Sequence, residues 1–286
     1  MRYLFEFIKY QGCGNDFILR DEIKHKATPD SDRSKMSKIL CDRHFGIGAD
    51  GILFIESAKG VDGSMRLFEQ DGGEADMCGN GIRCVGAYLM EQTGKSEVNV
   101  LTRDGVKHVS RIGNEYRVQM GVVRTSRQDL ARYLTDGGDC SDTLLDLSVR
   151  VGERAMRGSL VNTGEPHLVF QSEDVAGVDL VGIAEAINRD RTRFPRGMNV
   201  NFMQVVDPHE IRNRTYERGV YAETMACGTG ATASAAVALL LHLVEHGPVR
   251  IDTRGGRLTI EIDDEGHALM TGPATPVFEG KMTIVL

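Results

Sequence analysis

Two short segments carry the residues best suited to chemistry. Residues 74–81 read EADMCGNG and residues 223–230 read ETMACGTG, so each places a glutamate four residues ahead of a cysteine that opens a Cys-Gly-X-Gly turn. A cysteine just before a helix lies in the positive end of the helix dipole, beside backbone N–H groups with no intrahelical partner, and that field favours the thiolate. The glycines let backbone approach a ligand closely, and the same N–H groups suit a carboxylate. Taken alone, one such turn reads better as a helix cap. Two of them, around Cys78 and Cys227, point to one small anionic substrate held at a lobe interface with a sulfur on either side. The chemistry this suits is inversion at a carbon stereocentre. A thiolate removes a proton from one face, the other thiol returns one to the opposite face, and the roles exchange in reverse. Backbone N–H groups would hold the charge that develops on the substrate carboxylate.

The elements that must position these turns repeat at half the chain length. Cys78 and Cys227 lie 149 residues apart in a chain of 286; Phe68-Glu69 aligns with Tyr216-Glu217, and Gly14-Asn15 falls 150 residues before Gly164-Glu165. A duplicated, two-lobed protein explains this order of landmarks. Period-two segments predict strands at Phe5–Lys9, Gly51–Ile55, Ser64–Phe68, Val98–Thr102, Arg117–Met120, Ser159–Asn162, Leu168–Phe170, Val200–Val206, Arg212–Tyr216, Arg257–Ile262 and His267–Thr271. Helical patterns cover Arg33–Cys41, Gly81–Gln92, Leu180–Asn188 and Gly230–Glu245. The last is almost uniformly apolar, so it should be buried on all sides. Each lobe therefore reads as a strand-rich shell around one helix that starts just after a Cys-Gly-X-Gly turn, an α+β fold. The lobes should divide near residues 121–130, where periodicity is lost.

Composition narrows the partners. A net charge of −7 argues against a nucleic-acid backbone or an anionic membrane. The longest apolar stretch, Ala235 to Val244, is short for a membrane span and broken by His242. The opening MRYLFEFIKY carries Glu6 and Lys9 and lacks a small-residue cleavage site, unlike a signal peptide, so a reduced cytoplasmic compartment is the expectation. The six cysteines at 13, 41, 78, 84, 140 and 227 form no CxxC pair and no His-containing metal spacing, which argues against structural zinc. Cys84 belongs to the core of its helix, and Cys41 and Cys140 read as structural or surface residues. No P-loop is present, and Gly46-Ile47-Gly48-Ala49-Asp50-Gly51 has the wrong glycine spacing for a dinucleotide fingerprint. The expected chemistry needs no cofactor and no metal.

Six ordered blocks resemble the diaminopimelate epimerase family through nearly the whole chain: KYQGCGNDFIL (9–19), DRHFGIGADGIL (42–53), DGGEADMCGNGIRCVGAYL (71–89), NTGEPHLVF (162–170), FPRGMNVNFMQV (194–205) and YERGVYAETMACGTGA (216–231). The resemblance implies two pseudo-symmetric lobes, each a mixed β-barrel around a central helix, with lobes at 1–122 and 123–272 and a tail, 273–286, returning to the first. It implies a pyridoxal-independent epimerase acting on LL- and meso-diaminopimelate, and a homodimer. Matched position by position, Cys78 and Cys227 are the acid/base pair. Gly79, Asn80, Gly228 and Thr229 form the turns that bind the reacting carboxylate and amino groups. Asn15, Asn199, Glu217 and Arg218 are substrate contacts, and His167 and Glu217 tune the cysteines.

Without the resemblance, Asn15 reads as a turn residue, Asn199 as a strand-end cap, Glu217-Arg218 as a surface ion pair and His167 as a satisfied structural histidine. The chain also departs from the family pattern. Glu69 and Glu165 stand where relatives commonly have Asn, and the ERGVYAET stretch is one residue longer. Two acids near a distal carboxylate would repel it unless protonated, paired with Arg218 or bonded to an ammonium. A racemase of lysine, ornithine or histidine is the alternative, beside a non-catalytic amino-acid binder and a thiol redox protein.

Overall fold

The computed structural model describes residues 2–25, 27–135, 142–152 and 154–285, and within it the sequence repeat is a repeat of topology. The chain divides into two compact units, residues 1–119 with 271–286, and residues 120–270.

In the first unit the strands are β1 (Arg2–Gly12), β2 (Asn15–Asp21), β3 (Gly51–Glu56), β4 (Gly63–Glu69), β5 (Glu74–Ala75), β6 (Glu97–Thr102), β7 (Gly105–Ile112) and β8 (Glu115–Val122). Helix α1 (Asp30–Leu40) links β2 to β3, and α2 (Gly79–Thr93) links β5 to β6. The β2–β3 and β4–β6 pairs are parallel, whereas β1–β2, β3–β4, β6–β7 and β7–β8 are antiparallel.

The second unit adds α3 (Arg127–Leu130), β9 (Leu147–Val151), β10 (Arg154–Asn162), β11 (Pro166–Gln171), α4 (Leu180–Arg189), β12 (Asn199–Asp207), β13 (Glu210–Glu217) and β14 (Ala222–Glu223). It continues through α5 (Gly228–Leu240), β15 (Val249–Thr253), β16 (Gly256–Ile262) and β17 (His267–Gly272). Its pairings repeat the scheme: β11–β12 and β13–β15 are parallel, β10–β11, β12–β13 and β15–β16 antiparallel. The last strand, β18 (Thr275–Val285), pairs antiparallel with β1.

Each mixed sheet has helix on both sides, which is why its middle strands read as continuous apolar runs rather than alternations. All residues of Gly51–Ile55 are buried. Ile52, Phe54 and Phe68 pack with Met36 and Leu40 of α1 in an outer core, while Leu53 and Phe17 lie beneath α2, near Gly81. Helix α2 touches β1, β2, β3, β4, β6 and β7, and every residue from Gly79 to Met90 is buried. Its large apolar side chains are each worth about 1.5–3 kcal/mol of transfer free energy. Helix α5 is likewise buried from Gly230 to Ala238, and Leu180, Ala184 and Ile187 of α4 pack on the other face of that sheet with Leu168, Phe170, Val200 and Phe202.

The boundaries differ from the sequence reading in instructive ways. Both central helices begin at the glycine directly after the cysteine, not after the second glycine, because the sulfur itself caps the helix. Helix α5 stops at Leu240 and not at Glu245, since His242 takes a left-handed φ of 56°. Strand β2 lacks alternation because it is buried on both faces, and β18 lacks it because most of its residues are exposed. Among the described residues no helix is long and apolar enough to cross a membrane.

Candidate active site

Cys78 is the N-cap of α2, with extended backbone (φ −139°, ψ 121°), and its sulfur accepts the Gly81 N–H at 3.4 Å. Cys227 repeats this on α5, with φ −120°, ψ 115° and the Gly230 N–H at 3.4 Å. In both, the sulfur takes one N–H of the first helical turn, the place of a serine or aspartate cap. The second glycine of each turn is needed for packing: a Cβ on Gly230 would lie 2.8 Å from Thr215 Oγ1, and one on Gly81 would lie 3.2 Å from Leu53 Cδ2.

The repeated glutamates anchor the approach to each cysteine, a role that spacing alone did not reveal. Glu74 takes a two-pronged contact from Arg66 of β4 (2.7 and 3.1 Å), and Glu223 takes the same from Arg214 of β13 (2.7 and 2.8 Å). A second arginine stands at 3.4 Å in each unit, Arg103 and Arg254 respectively. Arginine hydrogen bonds hold both carboxyls below the usual carboxylate range.

Around Cys78 the partners are amides. The turn between β1 and β2 has positive φ at Cys13 (54°) and Gly14 (79°), as a tight hairpin of primed type requires, and it delivers Asn15. Asn15 Oδ1 accepts from Asn80 Nδ2 at 3.1 Å and from the Cys78 thiol at 3.6 Å, while its Nδ2 donates to Asp50 at 2.6 Å. Asp50 and Asp16 are both held by Arg43, and Asp16 also by Lys9. Burial pushes the Asp16 carboxyl up, but Arg43 and Lys9 outweigh it and hold the group below its ordinary value.

Around Cys227 the partners are hydroxyl and imidazole. Its sulfur lies 3.3 Å from Thr229 Oγ1, which lies 3.0 Å from His167 Nε2. His167 Nδ1 faces Asn201 Nδ2 at 3.3 Å, and that amide nitrogen also donates to the Gly230 carbonyl at 3.1 Å. A nitrogen donor opposite Nδ1 makes Nδ1 the acceptor, so Nε2 carries the proton and donates to Thr229, whose own hydroxyl proton is left for the sulfur. His167 thus reaches Cys227 through Thr229 rather than directly. Thr163 fixes the turn by donating to the Thr229 carbonyl at 2.9 Å.

Full burial lowers the His167 pKa from 6.5 to about 3, so the ring is neutral at physiological pH. The unfolded chain takes up this proton near 6.5 and the folded one only near 3, so stability falls as pH drops through that window. The urea midpoint of the wild-type protein should therefore decline more steeply over this range than that of His167→Gln. Parallel curves would show that the ring does not carry this penalty.

The remaining predicted contacts sit at the ends of β11, β12 and β13. Asn199 Oδ1 accepts the Arg218 backbone N–H at 2.9 Å. Glu217 accepts from Thr224 Oγ1 at 2.6 Å. The Arg218 guanidinium donates to the Arg196 carbonyl at 3.1 Å and pairs with Glu165. Glu165 therefore stands against the one arginine expected to read a substrate carboxylate, whereas Glu69 is exposed at the end of β4. Cys13, Cys41 and Cys84 are buried, and burial pushes Cys41 up to about 11 and Cys84 up to about 12, which makes them poor nucleophiles. Cys140 lies outside the described residues. Among the described residues no group of three His, Cys, Asp or Glu could hold a metal ion.

The chain is similar to known proteins along most of its length. The family model described as diaminopimelate epimerase matches residues 7–126 and 159–277. A diaminopimelate epimerase of Methanothrix thermoacetophila is 42% identical over 280 residues, spanning 96% of this chain and 95% of the relative. One from Agathobacter rectalis is 37% identical over 290 residues, spanning 98% of this chain and all of the relative. Among solved structures, a phenazine biosynthesis protein of the PhzF family from Bacillus anthracis superposes with a TM-score of 0.68 at 15% identity, covering 99% of this chain and 100% of that one. A hydroxyproline epimerase from Agrobacterium vitis also gives 0.68, at 14% identity, covering 98% of this chain and 91% of that one. At such low identity these last two likenesses bear on the fold alone.

Proposed function

The chain belongs to the diaminopimelate epimerase family, and from that premise we propose that it interconverts LL- and meso-diaminopimelate by two-thiol acid/base chemistry, a step toward lysine. The observation that carries this reading is the duplicated helix-capping thiol, each with an N–H of the first helical turn on its sulfur. In the proposed reaction one thiolate takes the α-proton, and the electron pair left on carbon delocalises into the adjacent carboxylate, stabilised by first-turn N–H groups. The other thiol then delivers its proton to the opposite face. Because both groups are thiols, reversal needs only that acid and base exchange parts. The reaction is pyridoxal-independent on this reading, since thiol and thiolate supply both proton steps.

Glu217 and Arg218 belong to substrate recognition in the same reading. Glu217, at the end of β13, offers a carboxylate to an ammonium, and Arg218 offers a guanidinium to a carboxylate. We assign the enzyme to the cytoplasm and to a homodimer, for which the exposed Leu4, Val277, Phe278 and Val285 on the paired strands β1 and β18 offer apolar surface. Sedimentation equilibrium tests the dimer.

The reaction itself is tested in heavy water. LL-diaminopimelate should exchange its α-hydrogen for deuterium as it converts to the meso form, and a pure binder would incorporate none. In a panel with lysine, ornithine, histidine and glutamate, diaminopimelate should give the highest kcat/KM. A preference for a monocarboxylate would overturn the substrate assignment and leave the chemistry standing.

A further inference from the structure

Arg83 lies one turn into α2 and has no exposed surface (0%). Its guanidinium donates to Asn80 Oδ1 at 2.8 Å, to the Gly79 carbonyl at 3.3 Å and to the Pro273 carbonyl at 3.2 Å. Asn80 in turn donates to Asn15 Oδ1, the oxygen that also faces the Cys78 thiol. Room for the guanidinium is made at Gly12, where a Cβ would stand 3.1 Å from Nη2. Taking a guanidinium out of water is costly, so holding a turn together is a weak reason for an arginine here.

The second unit shows the same turn held without charge. The residue five places after Cys227 is Thr232, also fully buried, and its hydroxyl donates to the Gly228 carbonyl at 2.9 Å, the counterpart of Gly79. Strand register extends the comparison. His167 pairs with Asn199 as Phe17 pairs with Gly51, and Asn201 occupies the place of Leu53. The polar floor under Gly230 is therefore replaced under Gly81 by Leu53 and Phe17. The deep polar groups under the two thiol turns differ in kind: neutral ones at Cys227, among them an imidazole relayed by a hydroxyl, and a guanidinium at Cys78.

We propose that Arg83 is a positioning residue for Cys78, fixing the thiol's amide partner through Asn80 and Asn15 and favouring its thiolate with a buried positive charge. Its catalytic meaning rests on the epimerase reading above, but the thiol chemistry can be measured without turnover. The other charged or titratable groups around this turn are Cys13 on the β1–β2 hairpin, Cys84 on α2, Glu115 on β8, Glu74 and Asp76 with Arg66 and Arg103 on the approach to Cys78, and the cluster of Asp50, Asp16, Arg43 and Lys9 behind Asn15. That cluster balances two acids with two bases. Cys13, Cys84, Cys78 and Glu115 all lie close enough to interact electrostatically with Arg83.

The test is alkylation by iodoacetamide across pH, with each cysteine followed by peptide mass spectrometry in wild type, Arg83→Met and Arg83→Lys. In Arg83→Met the midpoint for Cys78 should rise, slowing its alkylation at neutral pH about ten-fold, while Cys227 keeps its profile. Arg83→Lys, which loses the fork and sheds its charge more readily than a guanidinium when buried, should fall between wild type and Arg83→Met at Cys78. Should Arg83→Met fail to fold, Arg83→Gln makes the same measurement. An unmoved Cys78 midpoint in a folded neutral variant, or an equal change at both thiols, would each overturn the proposal. Absence of α-deuterium exchange would instead count against the epimerase reading, whatever the alkylation result.

Discussion

Cys78→Ala and Cys227→Ala should each lower kcat/KM for diaminopimelate by at least about 10³-fold, since each removes one of the two groups that move a proton. The double variant should be little worse than either single one, because half a proton relay is no relay. Both sulfurs are also helix N-caps, so alanine additionally removes a cap worth about 1 kcal/mol. Serine separates the two roles. A serine hydroxyl can accept the Gly81 or Gly230 N–H, so Cys78→Ser and Cys227→Ser should recover most of the lost stability. They should remain nearly inactive, because a hydroxyl is far too weak an acid to be deprotonated as a thiol is. Turnover above about one-tenth of wild type in either serine variant would refute the two-base assignment.

The pattern of two capped helices was legible because its signals are local. A Cys-Gly-X-Gly turn ahead of an apolar run needs no tertiary information, and its recurrence half a chain later carries the duplication. The positions of α1, α2, α4 and α5 followed from helical periodicity to within a few residues, the C-terminal end of α5 excepted. What stayed hidden depends on contacts between distant segments. Strand β2 shows no alternation because α1 covers one face and α2 the other. Glu74 and Glu223 recur in the sequence, but that each receives a two-pronged arginine from the preceding strand appears only once β4 and β13 are paired with β5 and β14. Asn201 and Thr163 gave no signal at all, since neither lies at a diagnostic spacing. Arg83 was visible only as one residue of a helix. Its burial, and the contrast with Thr232, need both units folded.

Arg218→Met should lower kcat/KM for LL-diaminopimelate by about 10²-fold, an effect in the 2–5 kcal/mol range seen when one partner of a charge pair with substrate is truncated. Lysine, which has no carboxylate at its far end, should lose far less. Glu165 adds a carboxylate beside Arg218. It pairs with Arg218, yet the two side chains are 50% and 28% exposed, so their pairing is worth under about 1 kcal/mol and a substrate can open it at little cost. The Glu165–Arg218 pair taken by itself is neutral, and so is an amino-acid terminus with its ammonium and carboxylate. The pair therefore matches the distal end of diaminopimelate better than a lone cation at Arg218 would. On that argument Glu165→Gln should raise the KM for diaminopimelate several-fold and lower it for glutamate, whose far end is a carboxylate alone. A lower KM for diaminopimelate in Glu165→Gln would mean that Glu165 only competes with the substrate for Arg218. In that case the acid at this position works against the dicarboxylate, and the cationic amino acids of the panel become the substrates to pursue.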